Sequence, residues 1–374
     1  NLVCITENET HLPLKVSKLQ SYGGMTLVPV DQAQVGDIIV LSGIEDVKIG
    51  DTICTKLEPV PLERITVDEP TVSMKFSIST SPFSGREGKH VQSRKIRERL
   101  LKETLMNVAI EVEESTTDES FIVKGRGELQ LAILIETMRR EGFELNVGRP
   151  KVIYKYDDAK KLEPIEHLFV DCGEDFLGVV TEKLSIRKGK MINLVNNGKG
   201  RVRIEFSIPS RSLIGYRDEF MTDTRGTGIV NSYLSGYEAY RGDFPVRYNG
   251  SIISDRQGKA VPYALFNLEP RGQLLIEPGT PVYEGMIVGE HNRHQDIEVN
   301  ACKEKKLTNM RASGKDEAVI CSPVKAMTLE KALQFIRDDE MVEVTPLSIR
   351  LRKTVLNTSQ RQVLKAKAKK KGKK

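Results

Sequence analysis

The sequence has 374 residues, of which 39% are hydrophobic and 29% are charged, a composition typical of globular proteins with about two to four domains. No apolar run approaches the roughly 18 residues that a membrane helix needs, and we expect no membrane partner. The five cysteines are scattered singly, which favours reduced thiols in the cytoplasm over a disulfide framework. Because the chain does not begin with Met, we expect it to be a fragment.

The formal net charge of +5 is distributed unevenly. Residues 344–374 contain eleven basic residues and no acidic residue, so the positive charge is concentrated at the C-terminus. Blocks of one charge sign usually stay disordered and often bind a polyanion, because neutralised phosphates release counterions. We expect residues 361–374 to be mobile, with Lys365, Lys367 and Lys369 as candidate RNA-binding residues. A solubilising tail that binds nothing is the alternative.

In chain order, residues 1–66 contain short apolar runs separated by glycines, which predicts part of a small β-barrel. Residues 67–157 predict strand–helix–strand–strand–helix–strand, the order of a ferredoxin-like domain. Its first strand alternates apolar and polar residues over 72–78. Its second helix has an apolar stripe over 131–138 and should end near Gly142.

The same order of elements returns in residues 158–245. Its clearest strand alternates apolar and polar residues over 202–208. The sequence DDAKKL, residues 157–162, is interpreted as a short charged linker that holds the two domains in a narrow range of orientations. The fold class is therefore predicted as α+β multidomain, with two tandem ferredoxin-like βαββαβ domains after the partial barrel.

Residues 246–345 predict a mostly β domain with one helix after the candidate cap Thr328, and residues 346–374 predict a terminal strand followed by the basic tail. A long loop, KEKKLTNMRASGKDE at 303–317, interrupts the C-terminal domain. Its apolar residues follow neither the period of a strand nor that of a helix. Long loops without secondary structure are usually functional or disordered.

The charge of this loop region favours contact with RNA. Arginines can bind phosphates with two hydrogen bonds or stack on an unpaired base, while lysines act as point charges. The loop contains no aromatic residue, so we expect recognition of the RNA backbone and shape. A mobile surface loop without a ligand is the alternative. The candidate RNA-binding residues here are Arg293, His294, Lys303, Lys305, Lys306, Arg311 and Lys315.

The sequence SGREGKH, residues 84–90, superficially resembles a phosphate-binding loop. Gly85 and Gly88 are too close together for the GxxxxGK[ST] motif, and the motif's hydroxyl residue is missing. A basic loop that leads into a helix is the better interpretation. Its backbone amides, together with the candidate RNA-binding residues Arg86 and Lys89, could still contact a phosphate.

No catalytic site is recognisable, since GxSxG, HExxH and paired-carboxylate signatures are missing. His291, His294, Cys302 and Cys321 could be written as a metal set, but their spacing matches no zinc pattern. A metal-dependent enzyme centred on the two histidines is the least favoured interpretation. Composition and spacing predict a chain that binds and does not catalyse, without a metal or cofactor of its own.

Three segments resemble translational GTPases such as elongation factor G. Their third domain is resembled by residues 124–155, KGRGELQLAILIETMRREGFELNVGRPKVIYK. The end of their barrel domain is resembled by residues 34–54, QVGDIIVLSGIEDVKIGDTIC. The start of their fifth domain is resembled by residues 163–191, EPIEHLFVDCGEDFLGVVTEKLSIRKGKM. Elongation factor G inserts a further domain where this chain has only DDAKKL. The region 246–343, with NACKEKKLTNMRASGKDE, resembles the C-terminal domain of the BipA (TypA) family rather than that of elongation factor 4.

This resemblance implies a BipA-family protein without its GTPase domain and the first part of its barrel. The intact protein would hydrolyse GTP with Mg²⁺, stimulated by the ribosome, and would serve 50S subunit biogenesis and adaptation to cold and stress in the cytoplasm. The implied partners of this monomeric chain are the 70S ribosome with its 50S and 30S subunits, rRNA, and an A-site tRNA reached by the 303–317 loop. The alternatives are an elongation factor 4-like factor and a scaffold that docks proteins at exposed sheet edges.

Overall fold

The computed structural model describes residues 2–44, 47–57, 59–64, 69–115, 118–158, 160–196, 198, 200–244, 247, 249–305, 321–324 and 327–371. Sheets and helices both occur throughout these residues, which confirms the α+β fold class. The chain divides into two compact units, residues 1–69 with 101–109 and residues 70–100 with 110–374. In the described part, no helix is both long and apolar enough to cross a membrane.

The first unit is built from short antiparallel strands. They form two three-stranded sheets, ordered β2-β1-β6 and β4-β3-β5. Val3, Cys4, Ile5 and Leu14 are buried in the first of these sheets. The predicted barrel stays a prediction. The strands are β1 (Leu2–Ile5), β2 (His11–Leu14), β3 (Lys18–Gly23), β4 (Thr26–Pro29), β5 (Ile39–Ser42) and β6 (Thr52–Thr55).

The next elements follow the predicted order strand–helix–strand–strand–helix–strand. They are β7 (Val72–Ile78), α1 (Ser93–Met106), β8 (Glu111–Glu114), β9 (Ser120–Gly125), α2 (Glu128–Arg140) and β10 (Leu145–Val147), followed by the short β11 (Lys151–Val152). The strands lie in the order β10-β7-β9-β8 with antiparallel neighbours. The predicted stripe of α2 is buried from Leu131 to Met138, and Gly142 follows the helix with a φ of 93°, a conformation that glycine adopts readily.

A second α/β segment repeats this order. It contains β12 (Lys155–Asp157), β13 (Lys160–Gly173), α3 (Leu177–Ile186), β14 (Lys190–Asn196), β15 (Arg201–Pro209), α4 (Ser210–Leu213), α5 (Tyr216–Asp223) and β16 (Ile229–Ala239). The main strands lie in the order β14-β15-β13-β16. One face of this sheet buries Leu168, Val170 and Cys172 in a core shared with α3 and α5.

The interpretation of DDAKKL as a linker is wrong. Residues 155–157 and 160–162 pair as an antiparallel hairpin, with Lys155 opposite Leu162 and Asp157 opposite Lys160. Asp158 lies in the turn with a φ of 42°, which Asp and Asn tolerate better than most residues because their short side chains can bond locally. Backbone hydrogen bonds therefore hold this segment in a sheet.

The C-terminal segment is mostly β structure. Its elements are β17 (Ser251–Ser254), β18 (Gly258–Lys259), α6 (Pro262–Leu268), β19 (Gly272–Leu274), β20 (Pro281–Val282), β21 (Met286–His291), β22 (Ile297–Val299), α7 (Leu329–Phe335), β23 (Glu340–Val344), β24 (Ile349–Lys353) and α8 (Thr358–Lys371). The predicted cap is confirmed, because the Thr328 hydroxyl accepts the Lys331 N–H at 3.3 Å. The terminal strand is present as β24.

The expectation of a disordered tail over 361–374 is wrong for residues 361–371, which belong to helix α8. Lys, Ala, Gln and Arg have high helix propensity, so a basic composition alone did not exclude a helix. The first turn is also attached to the fold, since the Thr358 N–H donates to Glu284 at 2.7 Å and the buried Arg361 contacts Glu298 at 3.1 Å. The last three residues, 372–374, lie outside the described residues.

One sheet joins the C-terminal segment to residues 72–147. Strand β23 pairs with β10, placing Val344 opposite Leu145 and Val342 opposite Val147, and β24 pairs with both β23 and β21. The chain positions of β10 and β23 are far apart, so local periodicity could not predict this pairing. The C-terminal segment is therefore built onto the edge of the first α/β sheet.

Candidate nucleic-acid interface

A cleft of about 850 Å³ lies at the turn between β21 and β22. The predicted residues Arg293 and His294 both belong to its wall, and both are exposed. Arg271, from the turn before β19, lies on the same cleft. The full lining consists of Pro270, Arg271, His291, Asn292, Arg293, His294, Gln295, Asp296 and Ile297.

Hydrogen bonds fix the backbone of this turn. The Gly250 N–H donates to the Arg293 carbonyl at 2.6 Å, and the His291 N–H donates to the Gly250 carbonyl at 2.9 Å. A Cβ atom at residue 250 would lie 2.3 Å from the Gln295 carbonyl oxygen, so only glycine permits this close approach. The turn therefore presents Arg293 and His294 from a constrained backbone.

His291 is part of this framework rather than of the exposed wall. Its side chain is buried, and its Nδ1 atom lies 2.6 Å from the Gln295 carbonyl oxygen. Within the described ranges, no group of three or more His, Cys, Asp or Glu side chains is placed to hold a metal ion. The geometry around His291 thus supports a structural role for this side chain.

Arg271 was missed by the sequence analysis. Its carbonyl accepts the Asn292 N–H at 2.9 Å, which attaches the Arg271 backbone to the 291–297 turn. A Cβ at the following Gly272 would lie 1.9 Å from the Glu290 carbonyl oxygen. The only local signal was the sequence Pro270-Arg271-Gly272, which predicts a turn with an exposed basic residue. This sequence does not predict that the turn lies beside strand β21.

The two acidic residues of the 291–299 segment, Asp296 and Glu298, are paired inside the fold. Asp296 contacts Lys353 at 2.9 Å and Arg337 at 3.8 Å, and it accepts the Ser251 N–H at 3.0 Å. Glu298 contacts Arg361 at 3.1 Å. Because these carboxylates are neutralised by cations of the core, the exposed wall of the cleft keeps the charges of Arg271 and Arg293.

Lys353, the main partner of Asp296, is only 1% exposed. Burial opposes its charge, but the carboxylates of Glu340, Asp339 and Asp296 together raise the pKa of Lys353 above its usual value. Lys353 therefore stays protonated at neutral pH and keeps Asp296 paired.

Two of the predicted loop residues follow the cleft closely in sequence. Lys303 and Lys305 are exposed after β22. The other three predicted residues, Lys306, Arg311 and Lys315, lie outside the described residues, so their contact with RNA stays a prediction. Lys303 and Lys305 are thus accessible at the start of the loop, and their contact with RNA also stays a prediction.

The basic helix α8 is anchored to the same segment. Arg361 is 6% exposed and contacts Glu298 in β22, which begins where the cleft turn ends. Lys367 is exposed farther along the helix. Lys365 and Lys369 also lie on α8, where the structure describes their backbone. The helix and the cleft therefore depend on one another for their positions.

The proposed phosphate contact at the amides of 84–90 is wrong. The N–H groups of Gly85, Glu87 and Gly88 donate to the Glu144 carboxylate at 2.6, 2.9 and 2.5 Å. Glu144 is fully buried, so an internal carboxylate occupies the position that an anion would take.

The side chains of the same loop divide between internal contacts and the surface. Glu87 bonds with Arg350 and Thr345. Burial opposes its charge, but the hydrogen bond from Thr345 and the charge of Arg350 lower the pKa of Glu87. The Arg86 guanidinium lies 4.5 Å from the centre of the Phe83 ring, and Lys89 is exposed. Arg86 and Lys89 do not line the cleft, and their RNA contact stays a prediction.

Comparisons with known proteins agree with these sequence and structural features. Residues 249–358 match the family model described as TypA/BipA C-terminal domain, and residues 160–247 match that described as Elongation factor G C-terminus. The first match contains the whole cleft and its internal cations Arg337 and Lys353.

Curated relatives carry the description "Large ribosomal subunit assembly factor BipA". The chain is 51% identical over 349 residues to the Escherichia coli K12 protein and 52% identical over 349 residues to that of Salmonella typhimurium. It is 49% identical over 353 residues to the protein of Buchnera aphidicola. These alignments cover 93–94% of the chain and 58% of each relative, so the chain spans little more than half the length of these relatives.

Proposed function

The chain belongs to the TypA/BipA family, and from this premise we propose that it is the ribosome-binding part of a factor for assembly of the large ribosomal subunit. The observation that carries this proposal is the cleft at 291–297. It exposes Arg271 and Arg293 on a hydrogen-bonded turn, while Asp296 and Glu298 are paired with cations of the core. Such an arrangement favours the binding of a polyanion, and RNA is the polyanion of the ribosome.

The mode of binding follows from the side chains. An arginine can form two parallel hydrogen bonds to a phosphate, and backbone contacts of this kind position a protein on RNA without reading its sequence. Lys303 and Lys305 extend the cationic surface beyond the cleft. In our proposal the 303–317 loop continues this surface to rRNA and to an A-site tRNA on the 70S ribosome or its subunits.

We further propose that both α/β segments are ferredoxin-like domains, covering 67–157 and 158–245. Their strand orders, β10-β7-β9-β8 and β14-β15-β13-β16, both place the first strand of the repeat between its fourth and third strands. This is the arrangement that two interleaved βαβ units produce. The remaining proposed divisions are part of a barrel domain at 1–66, a C-terminal domain at 246–345 and a terminal strand with its basic helix at 346–374.

For the whole factor, we propose GTP hydrolysis with Mg²⁺ as the activity and cold and stress adaptation in the cytoplasm as its setting. The described residues of this chain do not fit that nucleotide, because the amides of the 84–90 loop are already bound to Glu144. GTP and Mg²⁺ therefore belong to the rest of the factor in this proposal. We propose that the factor binds the ribosome as a monomer.

The test is cosedimentation of the chain with purified 50S subunits, 30S subunits and 70S ribosomes over a range of salt concentrations. We expect the Arg271→Ala/Arg293→Ala variant to bind more weakly. The slope of log affinity against log salt should fall by roughly 0.7–0.9 for each phosphate that the variant no longer neutralises. Arg94→Ala/Arg140→Ala is the matched control, because both arginines are exposed on helices α1 and α2.

Unchanged binding of the cleft variant, or equal losses in the cleft and control variants, would contradict the proposal. Binding that hardly responds to salt would instead favour a scaffold that docks proteins at sheet edges, because such pairing depends on backbone hydrogen bonds and apolar contacts. The three ribosomal preparations also distinguish a large-subunit ligand from a small-subunit one.

A further inference from the structure

The second α/β sheet carries three aromatic rings on the face opposite its helices. The His167 ring centre lies 4.6 Å from that of Phe169 and 5.4 Å from that of Tyr233, with interplanar angles of 23° and 8°. The centres of Phe169 and Tyr233 are 6.0 Å apart at 30°. Because the three ring centres lie within 6.0 Å of one another, the rings form one aromatic cluster on the sheet surface.

Strand geometry explains why these rings point away from the core. Along β13, Leu168 and Val170 are buried against the helices, so the alternate residues His167 and Phe169 lie on the other face. Tyr233 of β16 is directly opposite His167 in the antiparallel pairing and is 55% exposed, while His167 and Phe169 are half-buried. The same face thus presents aromatic surface to solvent where the central strand β13 pairs with the edge strand β16.

The neighbouring strand adds positive charge beside the rings. Arg203 of β15 is opposite Asp171 of β13, but Asp171 contacts Arg201 at 2.5 Å and Arg203 only at 4.0 Å. The Arg203 side chain is 61% exposed. Glu205, the nearest acid on β15, lies 3.0 Å from the His167 ring. The acids of this face are therefore engaged locally, while Arg203 extends to solvent.

Lys190 provides a second exposed cation on the same face. It begins edge strand β14 and pairs with Ser207, two residues beyond Glu205 on β15. Arg203 and Lys190 thus lie along the β15–β14 side of the face, and the rings lie along the β13–β16 side. Phosphates and bases of a single nucleic-acid strand have this same separation into a charged side and an aromatic side.

We propose that this face binds a single-stranded segment of RNA, stacking bases on Phe169 and Tyr233 and pairing phosphates with Arg203 and Lys190. A base stacks on an aromatic ring only where it is unpaired, because duplex bases are already stacked on each other. Four-stranded sheets with exposed aromatic residues on their strands bind RNA in this way. The proposal takes RNA as the ligand class from the proposed function, but it uses a different surface and different residues.

The test uses the full chain and a short oligouridine that carries one 2-aminopurine, whose fluorescence falls when it stacks. We expect Phe169→Ala and Tyr233→Ala each to weaken binding by at least about fivefold, the loss expected for one stacked base, and to reduce the quenching. Phe169→Leu and Tyr233→Leu keep apolar volume without a ring, and they should behave like the Ala variants. Phe266→Ala is the control, since Phe266 is exposed on α6, outside this sheet.

Several results would overturn the proposal: affinity for the oligouridine that is unchanged in the ring variants, affinity restored by Leu, a duplex of the same length bound as tightly, or no binding by the wild-type chain. The Arg271→Ala/Arg293→Ala variant should keep the quenching. Cosedimentation with 50S subunits tests the proposed function separately. If the cleft variant loses ribosome binding while the ring variants bind oligouridine like wild type, the proposed function stands and the single-stranded RNA site on this sheet is rejected. Thermal unfolding of every variant shows whether the sheet remains folded.

Discussion

The loop 84–90 and the turn 291–297 both carry basic residues, but the fold engages different groups in each. In the loop, backbone amides bind the buried Glu144, and Glu87 pairs with Arg350. In the turn, the acids Asp296 and Glu298 are bound by internal cations, and Arg271 and Arg293 remain on the cleft wall. A basic segment can therefore bind an external anion only where the fold has not already supplied one.

The largest effect in this comparison should come from removing the internal anion of the 84–90 loop. Glu144→Ala leaves the amides of Gly85, Glu87 and Gly88 without their acceptor. Hydrogen bonds to a charged group contribute roughly 1.5–3 kcal/mol each, so we expect the free energy of unfolding to fall by about 3 kcal/mol or more. Urea denaturation followed by circular dichroism measures this change.

Glu141→Ala is the matched control, because Glu141 is an exposed glutamate that pairs with Arg99 at 2.7 Å. Only the Glu141 side of this pair is exposed, and we expect the loss to be smaller than for the fully buried Glu144. If Glu144→Ala and Glu141→Ala shift the urea midpoint equally, Glu144 does not organise the loop and the contrast with the cleft turn disappears.

A smaller effect should follow when helix α8 is detached from the cleft segment. Arg361→Ala removes the partner of Glu298 and the donor to the carbonyls of Val355 and Leu356. We expect a loss of about 2 kcal/mol in unfolding free energy and faster amide exchange across 358–371. Gln362→Ala, at the adjacent exposed position, should change neither. Equal exchange rates in the two variants would show that α8 does not depend on Arg361.

Glu128 is a carboxylate whose neighbours are acidic, in contrast to Asp296 and Glu298, whose neighbours are cations. Burial, followed by the nearby charges of Asp218, Glu330 and Glu166, raises the pKa of Glu128 to about 7, although the Gly215 N–H opposes the shift. The folded state then binds a proton that the unfolded state has lost above about pH 4.5. Stability should therefore fall as pH rises from about 4.5 to 7 and stay low above that range.

Glu128→Gln should remove this pH dependence and stabilise the protein at pH 8 by about 1–3 kcal/mol relative to wild type. Asp218→Asn removes one neighbouring charge, so it should move the decrease to lower pH. Urea midpoints measured across the pH range test both variants. A wild-type protein whose stability rises over this range, with Glu128→Gln following the same curve, would contradict the shifted pKa.

Periodic elements of the fold could be predicted from the sequence because their signals are local. The alternation at 72–78 and the stripe at 131–138 depend on neighbouring residues along one strand or helix, and both are buried as expected. The cap at Thr328 is likewise a local signal. In contrast, the β10–β23 pairing joins residues that are distant in the chain, and no periodicity specifies which strands will meet.

The candidate site likewise contains residues that local sequence signals could identify and residues that only the fold brings together. Arg293 and His294 were found because they are basic residues beside a long loop, but Arg271 joins them through the backbone contact with Asn292 and the β19–β21 pairing. The pairing of Asp296 and Glu298 also depends on Lys353 and Arg361, which come from distant elements. Sequence position alone therefore could not show that these carboxylates are paired, and the charge pattern overestimated the disorder of the tail.

The smallest effects on stability should come from replacing exposed basic residues in the loop 84–90 and at the start of the loop 303–317. Arg86→Ala/Lys89→Ala and Lys303→Ala/Lys305→Ala each remove two exposed positive charges. Surface changes usually alter unfolding free energy by less than about 0.5 kcal/mol, so the melting midpoints of both variants should match wild type.

Ribosome binding should separate the same two variants. We expect the Lys303/Lys305 variant to reduce the slope of log affinity against log salt by roughly 0.7–0.9 for each phosphate left without its lysine, and the Arg86/Lys89 variant to leave the slope unchanged. Arg86 packs on the Phe83 ring in a loop whose amides already hold an anion, whereas Lys303 and Lys305 follow a cleft whose acids are paired internally. Adding Lys306→Ala and Arg311→Ala should reduce the slope further if the loop continues along RNA. A slope that changes only in the Arg86/Lys89 variant would reverse the comparison and place the phosphate contacts at 84–90.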